Sequence, residues 1–306
     1  MTRAPGRFGA VITAMVTPFG DDGSLDVDGA AQLARWLADN GSDGLVVAGS
    51  TGEGSLLSDG EKRDLWSAVA GAVTIPVIAA TGSAATDHTI EQGRIAEECG
   101  VDGLLVVTPY YVRPSQAGLV SHFSAVAAAT RLPILLYDIP VRSGRKIAVA
   151  SLVRLASECP NIIGVKDAGG DVAATALAVA RCPEGFEVYC GDDVLTLPML
   201  SVGAVGLISV ASHWAGVEIG EMIASFFKGD VRAAAQANAT LIPSWEFETG
   251  EEAPNPVPAK TMMRVLGQPA GPCRLPLGEP PAGLDGLACE VLAGLGRLPD
   301  SGVSPS

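Results

Sequence analysis

The chain has 306 residues, of which 48% are apolar and 18% are charged, so it can build a large core and lacks the composition of a disordered protein. Its formal net charge of -14 would repel a phosphate backbone, which argues against nucleic acid as a partner.

Short apolar, β-branched runs recur along the chain at strand-like lengths. Eight of them predict strands, at residues 10–16, 44–48, 75–80, 103–107, 133–137, 161–165, 186–189 and 205–210. Alanine-rich segments with helical spacing lie between them, at residues 28–40, 59–72, 86–99, 115–130, 148–159 and 171–181. Strands that are apolar on both faces and alternate with helices form parallel sheets. Eight such units predict a (β/α)8 TIM barrel, and an open doubly wound sheet is the alternative.

After the eighth strand the alternation stops, and helical patterns follow one another at residues 217–227, 231–245, 259–266 and 284–295. We therefore expect a barrel over residues 1–229, a C-terminal helical extension over 230–297, and a flexible tail over 298–306.

The six cysteines show no C-x-x-C spacing, and the three histidines are far apart in the chain. We expect reduced thiols and propose no metal and no cofactor. No apolar stretch approaches the length of a membrane span, which predicts a cytoplasmic protein without a membrane partner.

Lys166 ends the sixth predicted strand, whereas the other four lysines stand in polar contexts that predict solvation. The carboxyl ends of the strands carry the active site of a TIM barrel. Burial there disfavours the charged form of an amine, and a free amine can attack a ketone to form a Schiff base. We expect Gly164, on the same face, to leave room for the amine. A lysine that reaches water or pairs with Asp167 is the ordinary alternative.

The other strand ends carry hydroxyl groups. The loop after the second strand contains Ser50 and Thr51 among glycines, a combination suited to a small carboxylate. Tyr110, Tyr111 and Tyr137 follow the fourth and fifth strands, where a phenol can exchange protons with a reacting carbonyl, although core packing is the usual role of tyrosine.

Two charged groups complete the rim. Arg142 is a candidate grip for a substrate carboxylate, with a solvated loop arginine as the alternative. Asp192 and Asp193 follow the seventh strand, and we expect them to cap the helix that starts there rather than to bind a metal.

The motifs at these strand ends resemble, in order, those of the dihydrodipicolinate synthase and N-acetylneuraminate lyase family, over nearly the whole chain. The matching segments are residues 49–53 (GSTGE), 108–111 (TPYY), 113–116 (RPSQ), 136–137 (LY), 163–166 (IGVK), 191–193 (GDD) and 254–256 (PNP).

This resemblance implies residue roles. Lys166 would form the Schiff base with pyruvate, Tyr137 would relay protons, and Ser50 and Tyr111 would extend the relay. Thr51 would bind the pyruvate carboxylate, and the backbone at Gly191 and Ile208 would line the pocket. The tyrosine that matches Tyr111 enters from a neighbouring subunit in the family, which implies a homo-oligomer, usually a tetramer built as a dimer of dimers.

Arg142 and the tyrosine pair match the synthase branch, whose reaction condenses pyruvate with L-aspartate 4-semialdehyde to 4-hydroxy-tetrahydrodipicolinate in lysine and diaminopimelate biosynthesis. This resemblance implies a lyase of the Schiff-base-forming aldolase type. Ser50 stands where threonine is usual in synthases, and Asp138 stands where asparagine is usual.

Many bacterial synthases bind lysine as an inhibitor, at positions that align here with Gly54, Asp59, Lys62, Ala84 and His88. A cation at Lys62 and the lack of a carboxylate at His88 predict weak or absent inhibition.

Two alternatives to the synthase remain at this point. One is another pyruvate-dependent enzyme of the family, such as an N-acetylneuraminate or keto-deoxy-sugar lyase. The other is a non-catalytic barrel that binds a keto acid.

Overall fold

The computed structural model describes residues 5–297, and within this range eight parallel strands close into a barrel in the order β1 to β8. The strands are β1 Val11–Ala14, β2 Gly44–Val47, β3 Val77–Ala80, β4 Gly103–Val107, β5 Ile134–Asp138, β6 Ile162–Asp167, β7 Glu187–Cys190 and β8 Gly206–Ser209. Each strand pairs with its sequence neighbour, and β1 pairs with β8. The predicted TIM barrel is therefore confirmed, and the open sheet is wrong.

Helices surround the barrel. They are α1 Val27–Asp39, α2 Asp59–Ala72, α3 Thr86–Glu98, α4 Gln116–Ala128, α5 Pro140–Ser143, α6 Val149–Glu158, α7 Val172–Arg181, α8 Thr196–Ser201 and α9 Ser212–Phe227. The short helix α5 was not predicted, because four residues are too few to show a helical period. The helix expected after Asp193 is present as a 3-10 turn at Asp193–Leu195 that leads into α8. Ser58 is the N-cap of helix α2 and forms a full capping box, in which the Ser58 backbone N–H donates to the Glu61 carboxylate.

Two apolar clusters fill the barrel and its surroundings. Inward-facing side chains such as Ile12, Val46, Ile78 and Leu135 fill the interior, and Phe8 closes the amino-terminal end. The outward faces of the same strands pack against the helices in a second, larger cluster. Strands buried on both faces explain why they appear as continuous apolar runs in the sequence.

The C-terminal extension consists of α10 Val231–Phe247, α11 Val257–Val265 and α12 Leu284–Gly294. It packs on the barrel through Trp214 of α9, whose indole N–H donates to the Ser244 hydroxyl at 3.0 Å and whose ring meets Phe247 edge to face. The segment between α10 and α11 returns to the mouth of the barrel and brings Asn255 there. The predicted flexible tail, residues 298–306, lies outside the described residues.

All six cysteines are free thiols. Within residues 5–297, no helix is long and apolar enough to cross a membrane, and no group of three or more His, Cys, Asp or Glu side chains is arranged to hold a metal ion.

Candidate active site

Lys166 lies inside the mouth of the barrel and is 5% exposed. It pairs in register with Tyr137 on β5 and with Tyr189 on β7. In the described part of the chain, no carboxylate lies within ion-pair distance of its amine. The Asp167 carboxylate accepts instead from the Thr175 hydroxyl at 2.7 Å and from the Gly169 N–H at 2.9 Å. The alternative in which Lys166 reaches water or pairs with Asp167 is therefore wrong.

The space beside Lys166 comes from Gly191 rather than from Gly164. A β-carbon at Gly191 would lie 3.0 Å from both Cγ and Cε of Lys166, closer than most side chains pack, so the glycine gives the lysine its space. A β-carbon at Gly164 would instead overlap the Glu187 carbonyl oxygen. Gly164 thus permits β6 and β7 to pair closely, and our expectation that it makes room for the amine was wrong.

Tyr137 faces the Lys166 amine from the neighbouring strand. The lysine Nζ lies 4.5 Å from the centroid of the tyrosine ring, and the ring is 6% exposed. Burial of both groups at the ends of neighbouring strands brings an amine and a phenol together away from bulk water. This is the arrangement required for covalent capture of a carbonyl with proton transfer nearby.

The loop after β2 turns tightly and carries Ser50 and Thr51. Glu53 has a positive φ of 53°, and Gly54 N–H donates to the Gly49 carbonyl at 2.9 Å. A β-carbon at Gly54 would overlap the Ala48 carbonyl oxygen, so this turn requires glycine. Thr51 is 3% exposed, and its hydroxyl accepts from the Asn255 side-chain amide at 3.0 Å.

A cavity of about 320 Å³ opens at this mouth. The loop after β2, the ends of β4 and β5, helix α5 and the extension all contribute to its wall, through Ser50, Tyr110, Tyr137, Arg142 and Asn255. Arg142 is exposed, and its Nη2 lies 3.4 Å from the Asn255 carbonyl oxygen, to which it donates. Ile208, by contrast, is buried among the apolar side chains of the barrel interior.

Tyr111 is separated from this group. It is 92% exposed, and its backbone has a positive φ of 70°, a conformation that bulky side chains rarely adopt. Within the single chain, the structure therefore brings together Lys166, Tyr137, Ser50, Thr51 and Arg142, but leaves Tyr111 facing outward.

The predicted capping role fails for Asp193, which lies inside the short helical turn, whereas Asp192 occupies the N-cap position without a capping hydrogen bond. The buried Asp193 carboxylate accepts from the Ser209 hydroxyl and from the Val210 N–H, so it joins the ends of β7 and β8. Burial and the carboxylates of Asp193 and Asp192 raise the pKa of Glu248, at the end of α10, well above its usual range. Glu248 is distant in sequence, so no local pattern pointed to this cluster.

Lys62 and Lys260 were expected in solvent, and this was also wrong. Lys260 is fully buried, with its Nζ 2.6 Å from the Glu53 carboxylate and 2.8 Å from the Pro272 carbonyl oxygen. Lys62 is 8% exposed, and burial lowers the pKa of its amine. The partners of Lys260 come from other segments of the chain, so its local sequence did not reveal the burial.

The chain is thus a (β/α)8-barrel protein whose candidate active site has a buried lysine at the carboxyl end of β6. Residues 7–282 match the model of the dihydrodipicolinate synthetase family.

Named relatives agree with that match. The chain is 50% identical over 275 residues to a 4-hydroxy-tetrahydrodipicolinate synthase of Moorella thermoacetica, covering 89% of this chain and 92% of the relative. It is 45% identical over 273 residues to a 4-hydroxy-tetrahydrodipicolinate synthase of Bacillus subtilis, covering 89% and 93%. Among solved structures, a DHDPS from Cyanidioschyzon merolae with lysine bound superposes with a TM-score of 0.93 at 40% identity, covering 96% of this chain and 100% of that one. This chain belongs to the dihydrodipicolinate synthetase family.

Proposed function

We propose that this protein condenses pyruvate with L-aspartate 4-semialdehyde to 4-hydroxy-tetrahydrodipicolinate, in lysine and diaminopimelate biosynthesis. The observation that carries this proposal is the buried Lys166 amine facing the Tyr137 ring at 4.5 Å beside an open cavity. The relatives at 45–50% identity, which carry the name of this synthase, support the choice of reaction.

In the proposed chemistry, the Lys166 amine adds to the carbonyl carbon of pyruvate and water leaves, which forms an iminium. Loss of a methyl proton then gives the enamine, whose carbon attacks the aldehyde of the second substrate. The amine of that substrate finally replaces Lys166 at the carbonyl carbon and closes the ring. Tyr137, extended by Ser50 and by Tyr111 of a second subunit, carries the protons.

The substrate carboxylates are assigned to separate groups. Thr51, with the backbone near Gly191 and Ile208, holds pyruvate at the bottom of the mouth. Arg142 at the outer rim pairs with the carboxylate of the aldehyde, because a guanidinium binds a carboxylate through two parallel hydrogen bonds. A sugar lyase of the same family would bind a polyhydroxylated substrate instead. Comparing the two acceptors in one assay separates these functions.

Borohydride reduction tests the covalent step. Incubation with pyruvate and sodium borohydride is expected to attach a reduced pyruvate to Lys166, as read by peptide mass mapping, and to abolish condensation. K166A and K166R are each expected to prevent labelling and to lower kcat by about 1000-fold or more, since arginine keeps the charge but not the nucleophile. K228A, which removes an exposed lysine, is the matched control. Full turnover in K166A, or a label on another lysine, would contradict the proposal.

A further inference from the structure

The side chain of Asn255 contacts a proposed substrate-binding residue from outside the barrel. Asn255 lies in the segment between α10 and α11, 204 positions along the chain from Thr51. Its amide Nδ2 donates to the Thr51 hydroxyl at 3.0 Å, and both residues border the mouth of the barrel, with Asn255 lining the cavity.

The direction of this hydrogen bond determines what the Thr51 hydroxyl can do. A hydroxyl has one proton and two lone pairs, and an amide N–H can only donate. With a lone pair of the threonine oxygen taken by Asn255, the threonine proton is left for another acceptor. Thr51 is 3% exposed, so little water competes for that proton. A substrate carboxylate in the mouth is the strongest acceptor for this proton, because hydrogen bonds to ionised groups are stronger than those between neutral groups.

Other contacts hold Asn255 in place. Its backbone N–H donates to the Thr249 hydroxyl at 3.4 Å, and its carbonyl oxygen accepts from Arg142 at 3.4 Å. The side-chain Oδ1 is buried and has no hydrogen-bond partner within residues 5–297. Within residues 5–297, Thr51 is therefore the only hydrogen-bond partner of the Asn255 side chain, and it alone fixes the orientation of the amide.

We propose that Asn255 is a positioning residue for pyruvate: by donating to Thr51 it keeps the threonine proton directed at the substrate carboxylate. This inference rests on the proposed function, because it takes the occupant of the site to be a keto acid. It assigns to the C-terminal extension a part in substrate affinity, exerted through Thr51 rather than through contact with the reacting atoms.

Two variants test the direction of the bond. N255A removes the donor and is expected to raise KM for pyruvate by about 2- to 10-fold, the worth of one ordinary hydrogen bond. N255D replaces the donor by an acceptor that turns the threonine proton away and repels the substrate, so KM is expected to rise at least about 10-fold. In both variants kcat is expected to change less than KM.

A double-mutant cycle with T51V separates positioning from general damage to the fold. If Asn255 acts through the Thr51 hydroxyl, N255A is expected to change KM by less than about 2-fold in the T51V background. N238A, the same substitution at a half-buried asparagine of α10, is the matched control and is expected to leave KM unchanged. A full effect of N255A in the T51V background, or a fall in kcat with KM unchanged, overturns the inference.

The same borohydride assay distinguishes failure of the inference from failure of the proposed function. If pyruvate does not label Lys166 in the wild-type protein, the proposed function fails, and the inference fails with it. The second measurement is the pyruvate concentration that gives half-maximal labelling. If the wild-type protein is labelled, and this concentration is the same for wild type, N255A and N255D, the inference alone fails. Thermal melting of each variant checks that the fold is retained.

Discussion

Among single residues, Asp138 is a buried carboxylate that lies next to the candidate active site but does not face it. It follows Tyr137 on β5, so the alternation of a strand places its carboxylate on the outer face while the phenol faces the cavity. The carboxylate is 2% exposed and accepts from the Ile147 N–H at 3.0 Å. Burial raises the pKa of Asp138 to about 6. Asp138 therefore places a titrating group behind the site rather than in it.

Asp138 is expected to make stability depend on pH. Because its pKa is raised in the folded state, the folded protein holds the proton more tightly, and stability falls as pH rises through about 6. D138N removes this cost and keeps the acceptor for Ile147. It should raise the free energy of unfolding by on the order of 2 kcal/mol at pH 8 and by close to nothing near pH 4.

Urea unfolding at several pH values measures this difference. D102N is the matched control, since Asp102 also accepts a strand N–H, from Val77 at 2.8 Å, but is exposed. A difference between D138N and wild type that stays constant from pH 4 to pH 8 would show that burial of this charge is not its source.

At the scale of elements, a buried ion pair joins the loop after β2 to the extension. Glu53 of the loop meets Lys260 of α11 at 2.6 Å, and its other oxygen accepts from the Arg274 N–H at 2.8 Å. The Lys260 amine and the Arg274 guanidinium both lie against the Phe19 ring, at 4.1 and 4.2 Å from its centroid. We propose that these contacts hold the C-terminal extension, residues 230–297, against the barrel, residues 1–229, next to the active site.

Breaking one half of this pair is expected to be costly. K260M leaves the Glu53 carboxylate buried without its cation and should lower the free energy of unfolding by about 3–5 kcal/mol. The double variant E53Q/K260M should recover most of that loss, because no uncompensated charge remains. Urea unfolding measures both. R154A, in the exposed pair of Arg154 and Glu158 on α6, is the control, with a change of about 0.5 kcal/mol or less. An equal loss in K260M and R154A would contradict this account.

For the whole molecule, the informative surface feature is a set of exposed apolar side chains around the mouth of the barrel. Val112 follows the exposed Tyr111 in the chain, and Val141 and Leu275 stand next to residues that line the cavity. Val112, Val141 and Leu275 are 57%, 86% and 83% exposed, which is unusual for such residues on a solvated surface. We propose that a second copy of the chain covers this surface and receives Tyr111 in its own site, in an assembly built as a dimer of dimers.

Complementation between two inactive variants tests that assembly. In a heterodimer of K166A and Y111F, one site has both defects and the other has neither, provided Tyr111 acts across the interface. Purification by two different tags isolates this heterodimer, and about half of the wild-type activity per dimer is expected. Each homodimer carries one defect in every site and serves as the control. Heterodimers no more active than the homodimers would place Tyr111 in its own subunit's site.

Lysine is expected to inhibit weakly or not at all. The His88 ring nitrogen lies 3.1 Å from the Asp59 carboxylate, so that carboxylate already has a partner, and the half-exposed imidazole supplies no negative charge. Lys62, on the same helix as Asp59, adds a cation that repels the ammonium groups of lysine. An inhibition titration checks this, and micromolar sensitivity would refute it. K62A is the variant expected to gain affinity for lysine.

The barrel could be predicted without the structure, because strands buried on both faces and amphipathic helices leave local periodic patterns. The sequence also located Lys166, Tyr137 and the Ser50–Thr51 loop, since the ends of parallel strands meet at one edge whatever the details of packing. The folded arrangement was needed to show that Gly191 rather than Gly164 makes room for the lysine, and that Lys260 is buried against Glu53. It alone brought Asn255 to Thr51. The contacts of Asn255 and Lys260 join residues more than two hundred positions apart, and burial of a polar group depends on which distant segment covers it.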